Sequence, residues 1–492
     1  MKVRSSLMAV FVLLVLGFGV PAWAQTDEEH FQTFPFNFSN PGARPSAMGG
    51  AFIGLAQDAS AAASNPAGLT FLTKKQVYVE YKNMYTPVVR LSAFDSMLTG
   101  FGTFTSTNRV SIPGFINLAV PLKNGRATVA FSMQRFLKYS TTFALAARRS
   151  FSSSEAVYPN VSTVLDYSGT SYLGSVGYKV NDKLRVGFSG SLNYMSAFQT
   201  SARTSTKTSL GTITVPNTSM NGSDIAFGLN AGVLYELHPM LTVGFSYTKA
   251  PSFTQTEFVN DTNLTFSGTA VPVKFNIPDR YGVGIAFKPL SRFTVVFDAV
   301  RVNYSDLAKD TRTIYYAGYN FAAAGDAKQA APVAGSFYMD NATEFHGGFE
   351  AQVFRGQRNS AFARFGVFSM APHNLLYKPP TATSDAPFGV VTAGPSNPPC
   401  DQKNPGTGCY PTSIVLQPLW AASRFYIGEG VPDSTAATGF RLDNALSVAK
   451  TDIGVTFGAG IAIGGGFQLD FAYVTTNNLR RNEVVVSTAI RF

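Results

Sequence analysis

From about residue 76 to its end, the chain is built from short runs in which apolar and small residues alternate. In one run, Leu184, Val186 and Phe188 share a face, while Gly187 and Ser189 lie on the opposite face. A repeat of two with one apolar face predicts a β-strand. In most runs the second face carries Gly, Ser, Ala and Thr with few charges. This composition favours a crowded barrel interior over the charged outer face of a soluble sandwich.

The runs are joined in pairs by short turns that contain residues favouring reversal of the chain. There are six such turns: Lys123-Asn124-Gly125, Asn181-Asp182, His238-Pro239, 288–291, 355–359 and 464–466. A first strand at 76–85 and a last strand at 483–492 bring the total to about fourteen. Long connections join the hairpins on the other side, at 86–110, 137–171, 197–223, 249–280, 305–343, 371–451 and 475–483. We therefore predict an all-β, transmembrane antiparallel β-barrel over residues 76–492, with both termini on the periplasmic side of the short turns.

The segment Ser39–Leu72 precedes the barrel and has a different character. It is rich in Ala, Gly, Ser and Asn, and its apolar residues do not alternate. Residues 51–63 predict a small-residue helix or two short turns, with Asp58 or Ser60 as a cap. The following Asn65-Pro66-Ala67-Gly68 must end that element, because proline lacks an N–H and restricts its predecessor. Residues 25–75 are therefore predicted to form an arm and a compact hatch that plugs the barrel lumen.

The first 24 residues have the organisation of a secretory signal peptide. Lys2 and Arg4 form its basic end, 7–20 its apolar core, and Ala22-Trp23-Ala24 its cleavage site. The protein is thus expected to be exported, with the mature chain starting at Gln25.

The number and distribution of charged residues indicate which classes of binding partner are expected. Only 14% of residues are charged, and the formal net charge of +10 is not concentrated in any cluster of Lys and Arg. Nucleic acid is therefore not an expected partner, and the charge indicates a solvated basic surface or one that meets anionic lipid headgroups. Cys400 and Cys409 are the two ends of a ten-residue segment and predict a local disulfide in an oxidising compartment. No His lies near them, so no metal site is expected there.

The hatch segment resembles the N-terminal signature of the FadL/TodX family of outer-membrane transporters. The resemblance rests on 42–44, 48–52, Asp58-Ala59-Ser60 and Asn65-Pro66-Ala67-Gly68-Leu69. It implies a fourteen-stranded barrel closed by a hatch, which carries long-chain fatty acids or aromatic hydrocarbons. Ligands would be captured by apolar extracellular loops, pass to a pocket between hatch and wall, and leave through a lateral gap. The loop at 371–451 is long and has no counterpart in this resemblance.

Three sets of residues are candidates for transport. The hatch and gating set comprises Gly49, Gly50, Asn65, Pro66 and Ala67. The candidate ligand pocket comprises Phe31, Phe34, Phe36, Phe38, Met48 and Phe52. The arm phenylalanines either line the pocket or pin the arm to the wall. The candidate capture loops contain Phe94, Phe101, Phe143, Phe253, Phe258 and Phe266, which alternatively form an interfacial girdle or local loop cores.

Charged residues on the inward faces are few. They are Glu80, Lys82, Arg185, Asp298, His346, Glu350, Arg364, Asp470 and Arg491. An inward Arg either meets a ligand carboxylate or forms ion pairs that hold the hatch, and the second interpretation is favoured. No metal-ligand cluster, phosphate-binding loop or cofactor motif is evident, so neither an enzyme nor a cofactor is expected.

These observations lead to one main hypothesis and two alternatives. The main hypothesis is a monomeric outer-membrane protein of a Gram-negative bacterium that imports hydrophobic molecules, most of all long-chain fatty acids, by passive diffusion through a hatch-gated barrel. Its other expected contacts are outer-membrane lipid, lipopolysaccharide and the assembly machinery, which would recognise the terminal Phe492. One alternative is a non-transport barrel that acts in protein secretion or adhesion. The other is a general porin.

Overall fold

A computed structural model shows a β-barrel with a small helical plug. It describes residues 38, 40–89, 106–123, 125–145, 148–149, 156–158, 161–203, 206–208, 211–213, 217–260, 269–308, 337–370, 376–377, 451–477 and 482–492. Several sequence predictions lie outside these residues: the signal peptide, the disulfide between Cys400 and Cys409, most of the loop at 371–451, and Phe31, Phe34, Phe36, Phe94, Phe101 and Phe266.

The strands are numbered in chain order. They are β1 (Gln76–Val89), β2 (Ser106–Pro121), β3 (Ala127–Leu145), β4 (Arg148–Arg149), β5 (Ala156–Tyr158), β6 (Val161–Lys179), β7 (Leu184–Arg203), β8 (Thr206–Thr208), β9 (Gly211–Ile213), β10 (Asn217–His238), β11 (Leu241–Lys249), β12 (Ser252–Asn260), β13 (Thr269–Asn276), β14 (Arg280–Leu290), β15 (Phe293–Val302), β16 (Phe337–Tyr338), β17 (Ala342–Arg355), β18 (Asn359–Met370), β19 (Leu376–Tyr377), β20 (Asp452–Ile463), β21 (Phe467–Thr476) and β22 (Asn482–Arg491).

Fourteen of these strands form a closed antiparallel ring. The order runs β1-β2-β3-β6-β7-β10-β11-β14-β15-β17-β18-β20-β21-β22, and β22 pairs with β1 to close it. All six predicted short turns join neighbouring strands of this ring. The predicted fourteen-stranded barrel is therefore confirmed.

The hairpin of β12 and β13 is an addition to the ring. β12 pairs with only the first residues of β10, through Asn217–Met220. Its Phe253 is fully buried with residues of β3, β6 and β7, so the hairpin folds inward over the lumen. The sequence pattern predicts a loop in this segment. That prediction is corrected for Phe253 and Phe258, which lie in β12, and for Phe143, which lies in β3. These runs do not show clear alternation of apolar and polar residues, because Thr and Ser interrupt it. The strands form nevertheless, because neighbouring strands supply hydrogen bonds to their backbone.

The hatch consists of short helical turns. These are α1 (Ala43–Ala47), α2 (Ala61–Ser64) and a 3-10 helix at Pro66–Phe71. Asn65 ends α2 and begins the 3-10 helix, as its position before proline requires. Another 3-10 turn lies at Tyr304–Ala308. No helix in the described residues has the length and apolarity needed to cross a membrane.

The two faces of the strands differ as the alternation predicts. Large apolar side chains are exposed on the outside of the ring, as at Phe131, Phe188, Leu192, Phe227, Phe297, Phe365 and Phe457. The inward face buries polar and charged side chains, including Glu80, Lys82, Asp298, Arg364 and Asp470. This arrangement suits a barrel surrounded by lipid and filled with protein.

Candidate functional site

Asn65 is the central residue of the hatch. Its side chain is fully buried. The amide Nδ2 donates to the carbonyl of Ile53 at 2.9 Å within the hatch, and reaches the wall carbonyls of Val233 and Phe245 at 3.2 and 3.3 Å. Its Oδ1 accepts from the N–H of Ala67 at 3.3 Å, which caps the 3-10 helix. One amide thus connects two parts of the hatch to β10 and β11.

Glycines in the wall make room for the hatch backbone. A Cβ at Gly187 in β7 would overlap the backbone of Pro66 and Ala67, and one at Gly232 in β10 would overlap the Asn65 amide. Gly244, Gly348, Gly366 and Gly458 likewise meet hatch atoms. Only glycine permits this approach, because any side chain would fill the space. The hatch therefore packs against the small residues on the inward faces of the strands, and this surface is called its seat.

Substituting Gly187 by Ala is expected to destabilise the folded protein by about 1–3 kcal/mol, because the new methyl group meets backbone that has no room to move. The free energy of unfolding in urea, read from the loss of compact migration on gels, measures the effect. Gly190→Ala in the same strand is the matched control, since a Cβ there has nothing within 4 Å. Equal stability of the two variants would contradict a hatch seated on this wall.

A network of charged side chains holds α1, at the other end of the hatch, against the barrel wall. Arg44 of α1 forms a two-pronged pair with Glu350 of β17, with N–O distances of 2.8 and 2.7 Å. Glu350 also accepts from Arg364 at 2.7 Å, and Arg364 donates to Asp470 at 2.8 Å. The Arg44–Glu350 pair is strong because the guanidinium meets the carboxylate through two parallel hydrogen bonds, and Arg364 bridges two carboxylates with one hydrogen bond to each. The four groups connect the hatch to β17, β18 and β21.

Other inward charges also meet the hatch backbone. Asp298 of β15 accepts from the N–H groups of Phe52 and Ile53 at 2.6 and 2.8 Å. His346 Nδ1 lies 2.7 Å from the carbonyl of Gly49. Glu80 accepts from the N–H of Gly42. These contacts support the favoured interpretation that the inward charges hold the hatch.

The candidate residues Gly49 and Gly50 take part in the same anchoring. Both have positive φ, of 69° and 84°. A Cβ at Gly49 would lie 2.5 Å from the carbonyl oxygen of Val367. The Gly49 N–H donates to Thr456 at 3.0 Å. This turn therefore brings the backbone of the hatch against the backbone of β18 and the Thr456 hydroxyl of β20. Met48 and Phe52 flank it and are fully buried among hatch alanines.

An apolar cluster occupies the lumen on the long-loop side of the hatch. Its buried members are Phe136, Leu137, Tyr139, Leu165, Tyr167, Met195, Ala197, Met220, Phe253, Phe275 and Ile277. The rings of Phe136 and Phe253 stack with centroids 6.1 Å apart, and those of Tyr167 and Phe275 with centroids 6.4 Å apart. Phe38 of the arm packs against the cluster. The candidate pocket residue Phe38 and the candidate capture residue Phe253 therefore belong to the same apolar cluster.

Phe38 is also fixed by polar contacts. Arg280 donates to its carbonyl at 2.6 Å, and the guanidinium carbon lies 4.8 Å from the centroid of its ring. The arm is therefore pinned to β14 at the edge of the apolar cluster.

The barrel wall has a gap between β2 and β3. Backbone pairing between these strands covers only Phe115–Pro121 and Thr128–Gln134. On the long-loop side of this point β2 continues to pair with β1 as far as Ser106, and β3 with β6 as far as Leu145. The two strands therefore diverge from each other while each keeps its other neighbour.

Two bulges coincide with the divergence. Gly114 is the extra residue of β2 against β1, and Phe136 is the extra residue of β3 against β6. A bulge bends its strand and disrupts the local ladder, and Pro113 removes a further backbone donor. Phe136 also belongs to the apolar cluster. The cluster therefore reaches the wall at the gap.

Sequence reasoning missed this gap, although a signal was present. Pro113-Gly114 interrupts a run that otherwise predicts a strand, and such a pair indicates a bulge or an edge. The extra residue at Phe136 carries no such signal, because the neighbouring residues, Arg135 and Leu137, are ordinary strand residues.

Comparison with known proteins places this arrangement among outer-membrane barrels. The model of the family described as outer membrane protein transport protein (OMPP1/FadL/TodX) matches residues 29–324. The crystal structure of the Ralstonia pickettii toluene transporter TbuX is similar, with 14% identity, a TM-score of 0.50, and coverage of 93% of this chain and 99% of that one. That of the Pseudomonas putida toluene transporter TodX gives 12% identity, a TM-score of 0.47, and coverage of 93% and 99%. At 14% identity, the likeness to TbuX shows the fold. No curated protein matched the chain.

Proposed function

The chain belongs to the OMPP1/FadL/TodX family of outer-membrane transport proteins, and from this premise we propose that it admits long-chain fatty acids by passive diffusion. Ligand enters the apolar cluster from the long-loop side and leaves sideways through the gap between β2 and β3. The observation that carries the proposal is the double position of Phe136, which is both a member of the cluster and the bulge residue at the gap.

The path suits an apolar molecule because apolar side chains form the cluster through which it runs. The cluster contains four stacked aromatic rings and several aliphatic side chains. Transfer of apolar surface from water into such surroundings is favourable by about 25 cal/mol per Å². A lateral exit delivers the ligand directly into the membrane, so it never returns to water.

Fatty acids are favoured over neutral hydrocarbons by the charges beside the path. Arg135 lies in β3 beside the bulge at the gap and donates to Ser168, and Lys138 of the same strand is paired with Asp166. The guanidinium of Arg135, which donates to a neutral hydroxyl, offers a partner for a ligand carboxylate at the gap. Aromatic hydrocarbons are the second candidate, favoured by the stacked rings of the cluster.

The hatch sets the resting state in this proposal. Its contacts with β10, β11, β15 and β17 oppose free passage of polar solutes. Ligand that binds one hatch position more tightly than another shifts the population between them, with no other energy source. Gly49, Gly50, Asn65, Pro66 and Ala67 act as the gating residues.

The remaining features follow from this role. The short turns face the periplasm and the long loops face the exterior, where Phe94, Phe101 and Phe266 take part in capture together with Phe143 of β3 and Phe258 of β12. The protein acts as a monomer without a cofactor or a catalytic group. Contacts with lipopolysaccharide and recognition of Phe492 by the assembly machinery complete the proposal.

Uptake of a labelled long-chain fatty acid by cells that express the protein tests the proposal, with labelled toluene as the second substrate. We expect fatty-acid uptake above the empty-vector background, and a several-fold decrease in Phe253→Ala, because this change empties the centre of the apolar cluster. Phe227→Ala is the matched control, since Phe227 points outward and is 79% exposed. Surface amounts are matched before rates are compared.

The outcomes separate the alternatives. Uptake of toluene alone would overturn the fatty-acid assignment and retain the route. Uptake of neither substrate, with ion conductance of the intact protein in a planar bilayer, would favour a general porin. Absence of both uptake and conductance would favour a role in secretion or adhesion.

A further inference from the structure

The rim of the barrel formed by the short turns is strongly basic. Eight cationic side chains are exposed there: Lys74, Lys75, Lys123, Arg126, Lys183, Arg292, Arg355 and Arg358. Among the described residues of this rim, Asp182 is the one exposed carboxylate side chain, and it pairs with Lys179 at 2.7 Å. Glu236 is half-buried and lies 3.1 Å from Arg185. Neither hatch anchoring nor ligand passage uses these exposed cations.

The cations are spread around the ring. They lie before β1 and in the turns β2–β3, β6–β7, β14–β15 and β17–β18. Large apolar side chains are exposed beside them on the outer surface, at Leu122, Val180, Leu290, Val353, Phe354 and Phe492. A band of apolar residues bordered by cations matches the boundary between acyl chains and headgroups of a bilayer.

We propose that this rim binds the phosphate groups of anionic phospholipids in the leaflet that surrounds it. The positive charge of these side chains complements the negative charge of a phosphate. The cations encircle the barrel next to the apolar band, as lipids surrounding the barrel would require. An acidic protein partner would bind best to cations gathered on one side, whereas these cations are distributed among separate turns of the rim. The proposal does not depend on which molecule the barrel transports.

Native mass spectrometry of the folded full-length mature barrel tests the proposal. The protein in mild detergent receives equal amounts of phosphatidylglycerol and phosphatidylcholine with identical acyl chains, and bound lipids are counted by mass. We expect a preference of roughly threefold or more for phosphatidylglycerol, since each cation near an anionic headgroup adds attraction. The preference is expected to shrink as ionic strength rises, because exposed charges are screened.

Paired variants locate the effect. Arg355→Gln/Arg358→Gln removes two of the eight exposed charges of the rim, and the preference is expected to fall measurably below that of the wild type while staying above one. Lys274→Gln/Arg301→Gln removes the same charge from β13 and β15, near the opposite end, and should retain the preference. An equal loss in both variants would show that net charge is responsible and would overturn the assignment to the rim. A wild type without preference, or one that prefers lipid A to phosphatidylglycerol, would also overturn it.

Discussion

Removal of both Gly114 and Phe136 is expected to reduce uptake of hydrophobic ligands to the background of cells that carry an empty vector. Each is the extra residue of a bulge, so its deletion gives β2 a regular register against β1 and β3 a regular register against β6. The two strands then continue towards each other beyond Phe115 and Gln134, where their pairing now ends. With the lateral gap closed, ligand in the lumen loses the proposed route into the membrane.

Two controls distinguish closure of the gap from other effects of the deletion. Deleting Val353, the extra residue of a bulge in β17, removes a bulge near the short turns and away from the gap. Phe136→Ala removes the aromatic ring but keeps the bulge. We expect normal uptake in the first control and partial uptake in the second. Full uptake by the double deletion, in a barrel shown to be folded, would contradict a lateral exit between β2 and β3.

Replacing Asn65 by Ala is expected to release the hatch and to lower ligand uptake several-fold, because ligand then no longer shifts the hatch between two defined positions. The change removes the hydrogen bonds to Ile53, Val233, Phe245 and Ala67 and leaves buried carbonyl groups without this donor. Each buried group left unsatisfied costs about 1–3 kcal/mol, which is enough to shift the hatch away from its seat. Hydrogen exchange of the backbone amides at 51–70 measures the release, and fatty-acid uptake measures the consequence.

Asn193→Ala provides the matched control for that change. Asn193 is also buried in the lumen, but its hydrogen bonds go to Ser191, Ser171 and Ala226 in the wall. Its substitution should leave exchange in the hatch unchanged. If hydrogen exchange in the hatch became faster in Asn65→Ala but uptake did not change, the hatch contacts of Asn65 would stabilise the hatch without controlling transport. Unchanged exchange would show that the asparagine does not hold the hatch.

The sequence alone determined the barrel. Alternation of period two, six short turns and long connections on the other side led to fourteen strands, because side-chain direction in a strand depends only on position parity. The break at Asn65-Pro66 was likewise readable, since proline restricts its own backbone and that of its predecessor. The net positive charge can be counted in the sequence. The ring of exposed cations cannot be seen there, because these residues lie in turns that are far apart along the chain.

The tertiary structure alone decided which residues meet. Arg44 and Glu350 are 306 positions apart, and nothing local to either predicts their pairing. The inward glycines were visible, but their purpose depends on which part of the hatch backbone lies against each one. The gap required two bulges on neighbouring strands, and a bulge such as that at Phe136 exists only relative to the register of its partner. These properties arise from packing between distant segments, which periodicity along one chain does not encode.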